Sequence, residues 1–121
     1  MVRLSFEHHQ RKTSGRRVAI YGAGDMGALA LRQLKMDKSL IYTPVGFIDD
    51  DRSKHGRNLQ GLSVLESIDA LENIIKKYRI EEIVVAIAAI QGDKLREVVK
   101  RCRKMNVVCR IIPSFSQLWA G

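Results

Sequence analysis

The order of apolar and polar residues divides this chain into short strands and amphipathic helices. Apolar residues are contiguous at positions 18–21, and from Met26 to Leu34 they recur three or four positions apart. The contiguous run predicts a strand at 17–21, and the longer period predicts a helix at 25–36. Further strands are predicted at 45–48, 62–65, 83–88 and 107–112, and further helices from Ser67, as N-cap, to Tyr78 and at 92–105.

Strands that alternate with helices predict an α/β fold. The run at 83–88 is apolar throughout, as in strands that are buried on both faces of a parallel sheet. We therefore expect a Rossmann-like single domain, a doubly wound parallel sheet of about five strands with right-handed crossovers. This domain is expected to span residues 16–121, preceded by a basic linker or arm at 1–15.

The turn between the first strand and the first helix carries a glycine motif, GAGDMG. In nucleotide-binding folds, the position of Gly22 makes the tight turn, that of Gly24 lets a pyrophosphate approach, and that of Gly27 lets the helix pack closely. The helix then directs its unpaired N–H groups and the positive end of its dipole at the phosphates. The predicted cofactor-binding residues of this turn are Gly22, Ala23, Gly24, Asp25, Met26 and Gly27.

Acidic residues follow the second predicted strand, where dinucleotide-binding folds place an acid for the ribose hydroxyls. Asp49 is the predicted ribose ligand, and Asp50 and Arg52 are predicted to contribute beside it. An acid here repels the 2′-phosphate of NADP, so the sequence favours NAD, although Arg52 and Lys54 reduce that preference. The alternative interpretation is that residues 49–51 only solvate the end of the strand.

Asp25 lies in the first turn of the predicted helix, where its carboxylate competes with a phosphate for the same N–H groups. Two interpretations follow from this position. Either the side chain swings aside when a ligand binds, or it caps the helix and weakens anion binding.

The composition limits the classes of partner. The chain has 121 residues, a net charge of +8 and 28% charged residues, which suits one soluble globular domain. Basic residues concentrate at the N-terminus and again at 94–110, where a solvated helix face is the preferred interpretation. Sparse aromatic residues and the lack of a helix-turn-helix pattern argue against sequence-specific nucleic-acid binding. No apolar run approaches the roughly 18 residues of a membrane-spanning helix, and no secretory signal is found.

The sequence offers no residues for catalysis or metal binding. A short-chain dehydrogenase or epimerase needs a tyrosine with a lysine four positions later, and no tyrosine of this chain has one. His55 is alone in a predicted loop, and the spacing of Cys102 and Cys109 does not suit a zinc site. Free thiols in a reducing cytoplasm are expected.

Several segments together resemble a known family over residues 16 to 121. The segments are RRVAIYGAGDMGALALRQL, PVGFIDDDRSKHGRNLQGLSVL, IEEIVVAIAA and CRIIPSFSQLWAG. They resemble the N-terminal Rossmann-like domain of the long, membrane-associated nucleotide-sugar 4,6-dehydratases and epimerases of bacterial polysaccharide biosynthesis. Related domains occur in initiating sugar-phosphate transferases.

The resemblance implies a larger parent protein, with transmembrane helices before this domain and a catalytic short-chain dehydrogenase domain after it. This domain would then lie on the cytoplasmic side of the inner membrane and bind NAD(H) without its own catalytic residues. Gly22, Gly24, Gly27 and Asp49 carry over as nucleotide-binding positions. A CoA-binding domain and a ligand-free regulatory or interaction module are the alternatives, and a homo-oligomer is compatible with each.

Overall fold

The structure is a computed structural model that describes residues 15–37 and 41–112. Its strands are Arg16–Tyr21 (β1), Tyr42–Ile48 (β2), Asn58–Leu59 (β3), Leu62–Ser63 (β4), Glu82–Val85 (β5) and Val108–Ile111 (β6). Its α-helices are Asp25–Met36 (α1), Leu71–Tyr78 (α2) and Gly92–Lys104 (α3). Within these residues, one sheet has four parallel strands in the order β2-β1-β5-β6.

Helices cover both faces of this sheet, because successive residues of β1 point to opposite sides. Val18 and Ile20 pack in one buried cluster with Leu31 of α1. Ala19 and Tyr21 pack in a second cluster with residues of α2 and α3, among them Ile74 and Val98. The predicted α/β fold with a doubly wound parallel sheet is therefore confirmed.

Three predicted elements agree closely with the observed ones, and one strand is shorter. The predicted helix at 25–36 coincides with α1, and β1 and α3 differ from their predictions by one residue. The predicted strand at 83–88 ends at Val85 instead. Its neighbour β1 ends at Tyr21, whose carbonyl accepts the last hydrogen bond, from the Ala86 N–H, at 2.8 Å. Beyond that bond β5 has no strand on that side to pair with.

The second and third predicted strands differ more from the structure. β2 begins before Pro44, which we expected to precede it. Proline is tolerated there because β2 is the edge strand of the sheet. The predicted strand at 62–65 pairs with the parallel sheet only through one parallel bridge, between Val64 and Phe47 of β2. Its first two residues form β4, which pairs with β3 in an antiparallel ribbon. The parallel sheet of the described residues therefore has four strands rather than about five.

The second predicted helix begins in a different way. A 3₁₀ turn, Ile68–Ala70, precedes α2, and Ser67 makes no side-chain capping hydrogen bond. The first N–H of that turn, of Ile68, instead donates to Asp50 Oδ1 at 2.9 Å. We expected the Ser67 hydroxyl to cap this helix, but a carboxylate that is distant in sequence, that of Asp50, supplies the capping hydrogen bond instead.

Some predictions lie outside the described residues. They are the basic arm except Gly15, the predicted exit from the first helix at residues 38–39, and the predicted end of the last strand at Pro113. Within the described ranges, none of the helices is both long and apolar enough to cross a membrane.

Candidate nucleotide-binding site

The turn from β1 into α1 is fixed by two glycines. Gly22 has φ +122°, and its N–H donates to the Ile48 carbonyl at 2.7 Å. A Cβ on Gly22 would lie 2.5 Å from the Ala86 carbonyl oxygen. A Cβ on Gly27 would lie only 1.8 Å from the Gly22 carbonyl oxygen. Both positions therefore exclude side chains because backbone atoms occupy the space.

Gly24 is different, because the space beside it is empty. It is the exposed N-cap residue of α1, and no atom of residues 15–37 or 41–112 lies within 4 Å of the position that a Cβ would take. The first helical hydrogen bond runs from the Ala28 N–H to the Gly24 carbonyl at 3.0 Å. The N–H groups of residues 25–27 have no carbonyl within the helix, and no N-cap side chain satisfies them. The backbone at Gly24 therefore presents donors to open space.

Asp25 is exposed in the first turn of α1. No hydrogen bond to its carboxylate is found within the part of the chain that the structure describes. This geometry favours the interpretation in which the side chain yields to a ligand over the one in which it caps the helix.

Asp49 lies against the glycine turn. Its Oδ2 accepts a hydrogen bond from the Ala23 N–H at 2.7 Å, and its Oδ1 accepts one from the Asp51 N–H at 2.8 Å. The ring nitrogen Nε2 of His55 lies 2.7 Å from the Asp49 carbonyl oxygen. The structure thus joins the two parts of the predicted site, the glycine turn and the acid, by one direct hydrogen bond.

Asp50 was also predicted to bind the cofactor, but its carboxylate accepts hydrogen bonds from two groups of the protein. Its Oδ2 accepts a hydrogen bond from the Tyr21 hydroxyl at 2.8 Å, while Oδ1 accepts the Ile68 N–H. Burial and this hydrogen bond to Asp50 raise the pKa of Tyr21. The carboxylate is therefore directed at the side of the sheet that carries α2, where the Tyr21 ring is buried.

The 3₁₀ turn Arg52–Lys54 places a cation at the site. Asp51 caps this turn, because its Oδ1 accepts hydrogen bonds from the Ser53 N–H at 3.0 Å and hydroxyl at 2.7 Å. These bonds lower the pKa of Asp51. Lys54 Nζ then lies 3.4 Å from the Ala23 carbonyl oxygen and 3.8 Å from Asp49 Oδ2. Arg52, the predicted site residue, is exposed on the same turn.

Lys54 was expected near the acid, as a residue that reduces the preference for NAD, but it was not among the predicted site residues. The available signal was Asp51 with a serine two positions later, which is typical of a tight turn that reverses the chain. Such a turn brings the residue three positions after the acid back towards the strand end. Each residue of the run 49–51 thus has its own set of partners, so the run does more than solvate the strand end.

A groove of the structure lies apart from the glycine turn. A groove of about 430 Å³ lies between α1 and the sheet, and its lining includes Leu34, Tyr42, Val84 and Arg110. No residue of the glycine turn lines this groove. In the described ranges, no three His, Cys, Asp or Glu side chains are grouped to hold a metal ion. Cys102 and Cys109 are free thiols.

The fold and the glycine turn together define a Rossmann-like domain with a turn of the nucleotide-binding type. A family model described as a CoA-binding domain matches residues 1–113, and the chain belongs to this family.

Two relatives are polysaccharide biosynthesis proteins. The probable polysaccharide biosynthesis protein EpsC of Bacillus subtilis (strain 168) is 31% identical over 112 residues, which are 93% of this chain and 19% of the relative. The capsular polysaccharide biosynthesis protein CapD of Staphylococcus aureus is 25% identical over 103 residues, 84% of this chain and 17% of the relative. The chain therefore spans about a fifth of the length of the curated relatives it matches.

Two solved structures support the fold. UDP-D-quinovosamine 4-dehydrogenase from Vibrio fischeri is 31% identical, with a TM-score of 0.74 over 88% of this chain and 85% of that one. RSP, a Rex-family repressor solved in complex with β-NADH, is 15% identical, with a TM-score of 0.66 over 93% of this chain and 61% of that one. The second likeness concerns the fold alone.

Proposed function

We propose that this domain binds a dinucleotide, with NAD(H) as the first candidate, at the turn between β1 and α1. The observation that supports this most is the open space beside the backbone of Gly24. The backbone there is fixed by Gly22 and Gly27, yet the space beside it is empty and the helix N-terminus behind it has no side-chain cap. A pyrophosphate fits this arrangement because it accepts hydrogen bonds from the N–H groups and interacts favourably with the helix dipole.

In this proposal Asp49 receives the ribose. Each of its oxygens accepts one hydrogen bond from the protein, at 2.7 and 2.8 Å, so a second lone pair on each remains available. The bond to Ala23 sets the distance between the acid and the phosphate turn before any ligand arrives. Pre-organisation of this kind lowers the entropy lost on binding.

The identity of the nucleotide depends on the charges at this acid. Asp49 disfavours a phosphate on the adjacent ribose hydroxyl, which supports NAD(H), the ligand in the RSP complex. Lys54 beside it offers a cation for an additional phosphate, which supports the second candidate, CoA, and agrees with the description of the family. Both ligands contain an adenosine pyrophosphate, so both would use the same turn.

We further propose that the domain belongs to a larger nucleotide-sugar dehydratase or epimerase of polysaccharide biosynthesis. The names of the relatives and the large part of them that this chain does not span support this proposal. The UDP-sugar dehydrogenase among the similar structures agrees with a nucleotide-sugar substrate for the parent protein. Catalysis would then reside in another domain, and this domain would supply binding or regulation.

A thermal-unfolding series with NADH, NADP, CoA, ADP and adenosine tests the proposal. A ligand that binds only the folded state at 100 times its Kd stabilises that state by about 2.7 kcal/mol. We expect a clear increase in melting temperature with NADH, a smaller one with ADP and little with adenosine, because the pyrophosphate provides the main contacts. An increase with CoA alone would favour the second candidate. No increase with any of them at millimolar concentration would contradict nucleotide binding.

A further inference from the structure

Basic side chains concentrate at the edge of the sheet that lies opposite the glycine turn. The strands are parallel, so the amino ends of β2, β5 and β6 lie at this edge, together with the carboxyl ends of the helices that precede them. Each of these helices ends in cations. We call the following exposed residues the basic edge: Lys35, Lys76, Lys77, Arg79, Arg103 and Lys104.

Acidic residues at the same end of the molecule neutralise little of this charge. Glu82 is fully buried, and its Oε1 and Oε2 lie 3.4 Å and 3.0 Å from nitrogens of Arg16 and Arg110. Glu81 accepts a hydrogen bond from the backbone of β1 at 3.0 Å. Asp37 is an exposed acid beside the end of α1. The acids that begin β5 are thus occupied by partners in the protein, whereas the basic edge points to solvent.

Exposed apolar side chains lie among these cations. Met36 at the end of α1 is 70% exposed, Ile41 just before β2 is 60% exposed, and Val108 at the start of β6 is 45% exposed. Cations mixed with apolar side chains are typical of surfaces that lie on a lipid bilayer, where the apolar groups enter the boundary below the headgroups. Single-stranded nucleic acids are bound instead by basic grooves with aromatic stacking platforms. The combination at this edge therefore favours a lipid surface.

The opposite edge of the sheet is mixed in charge. Asp25, Asp49, Asp50 and Asp51 surround the glycine turn. Lys54 and the other cation of its turn lie beside them, so acids and cations offset each other there. The uncompensated positive charge therefore lies at the basic edge.

We propose that the basic edge rests on an anionic lipid bilayer, with the glycine turn facing away from it. The attraction comes from the negative surface potential of the bilayer, which acts on each Lys or Arg near the surface. Met36, Ile41 and Val108 add contact with the interfacial region of the bilayer. This orientation leaves the nucleotide site accessible from water and does not depend on which nucleotide it binds.

Flotation of the full chain with lipid vesicles tests this inference. The vesicles are phosphatidylcholine alone or with about one third phosphatidylglycerol, at low and high salt. We expect binding only to the anionic vesicles, weakened by salt because the Debye length shortens from about 10 Å at 0.1 M to about 3 Å at 1 M. Binding to neutral vesicles of equal strength would contradict an electrostatic surface.

Two variants matched in charge locate the surface. K76Q/K77Q/R103Q/K104Q removes four cations of the basic edge, and R32Q/R57Q/K94Q/R96Q removes four cations from other parts of the chain. Both variants therefore lower the net charge of +8 by the same amount. We expect the first to lose on the order of 100-fold in vesicle affinity and the second less than about fivefold. Equal losses would show that net charge or the N-terminal residues govern binding, and would overturn the proposal.

A third variant and a competing polyanion complete the test. M36S/I41S changes exposed apolar side chains only, so it should weaken vesicle binding severalfold without changing its dependence on salt. Circular dichroism confirms that each variant is folded. If the chain binds a single-stranded oligonucleotide more tightly than anionic vesicles, and the edge variant loses that binding, the surface serves nucleic acid and the lipid proposal is wrong.

Discussion

Two turns leave the carboxyl edge of the sheet from neighbouring strands, and each leads into a helix. The turn at 22–24 joins β1 to α1, and the turn at 86–91 joins β5 to α3. Both helices begin without a capping side chain, so an open helix N-terminus does not distinguish them. The first turn differs because glycines fix its backbone and Asp49 is hydrogen-bonded to it at Ala23. A binding turn therefore needs a backbone that is both fixed and uncovered.

The two turns also depend on each other. The Ala86 carbonyl of the second turn fills the space beside Gly22, where a Cβ would approach its oxygen to 2.5 Å. A side chain at Gly22 is excluded because the second turn passes so close to it. Ala88 and Ala89 of the second turn are exposed, so this turn has room for larger side chains. This contrast separates Gly22 and Gly27, which the fold requires, from Gly24, which only the proposed ligand would require.

The largest expected effect is on stability, from Gly27→Val. The new side chain would meet the Gly22 carbonyl at 1.8 Å from its Cβ, so α1 must move away from the sheet. We expect a loss of about 3 kcal/mol or more in the free energy of unfolding, measured by urea denaturation. Ala89→Val in the second turn is the control and should change it by less than about 0.5 kcal/mol. Similar losses for both variants would contradict the distinction between the turns.

Gly24→Val should affect binding and spare the fold. Its φ of −112° is accessible to valine, and no atom lies within 4 Å of the new Cβ. We expect unfolding free energy to fall by no more than about 1 kcal/mol, as for a poor N-cap residue. Affinity for NADH in calorimetric titration should fall at least about tenfold, because the side chain occupies the place of the pyrophosphate. Unchanged affinity would place the ligand elsewhere.

Asp49→Ala should weaken the binding of NADH by about 1.5–3 kcal/mol, which is the range for hydrogen bonds to charged groups. The variant removes the proposed ribose acceptor and also the bond at 2.7 Å to the Ala23 N–H. Asp49→Asn removes the charge and keeps one acceptor oxygen, which can still serve the Ala23 N–H, but its NH₂ group no longer accepts from the Asp51 N–H. Binding of NADP should suffer less than binding of NADH in both variants. If both ligands lose affinity equally, the acid only shapes the turn.

Asp25→Asn should have the smallest effect, in the opposite direction. Removal of a negative charge from the mouth of the turn relieves repulsion of the phosphates and should tighten NADH roughly twofold to fivefold. The same change should slightly reduce the stability of α1, because an acid in the first turn favours the helix dipole. Weaker binding in calorimetry would mean that this carboxylate contacts the ligand favourably.

Local patterns were enough to predict the first turn but not its partners. The period of apolar residues and the spacing of Gly22, Gly24 and Gly27 predicted β1, the turn and α1. The end of β5 could not be predicted, because the neighbouring strand β1 determines how far it can pair. Its apolar residues continue beyond Val85 in sequence although the sheet does not.

The contacts of the site depend on residues that are distant in sequence. The bond from Tyr21 to Asp50 and the approach of Lys54 to Ala23 arise only when β1 and β2 lie side by side. The position of Asp49 at the end of the strand was enough to single it out as the acid beside the turn, but nothing in the run shows that Asp50 is directed at Tyr21 instead. The predicted start of β2 after Pro44 was wrong, because a proline is tolerated within a strand that lies at the edge of a sheet, and the sequence does not show where the strand lies.

The fixed, uncovered backbone of the first turn is the proposed binding site of the nucleotide. Nitrogen–proton correlation spectra of the folded chain during titration with NADH follow this site amide by amide. We expect the largest chemical-shift changes at the amides of residues 23–26, and smaller ones at Ala88 and Ala89 of the second turn. Saturable changes confined to other amides, with those of the glycine turn unmoved, would contradict this proposal.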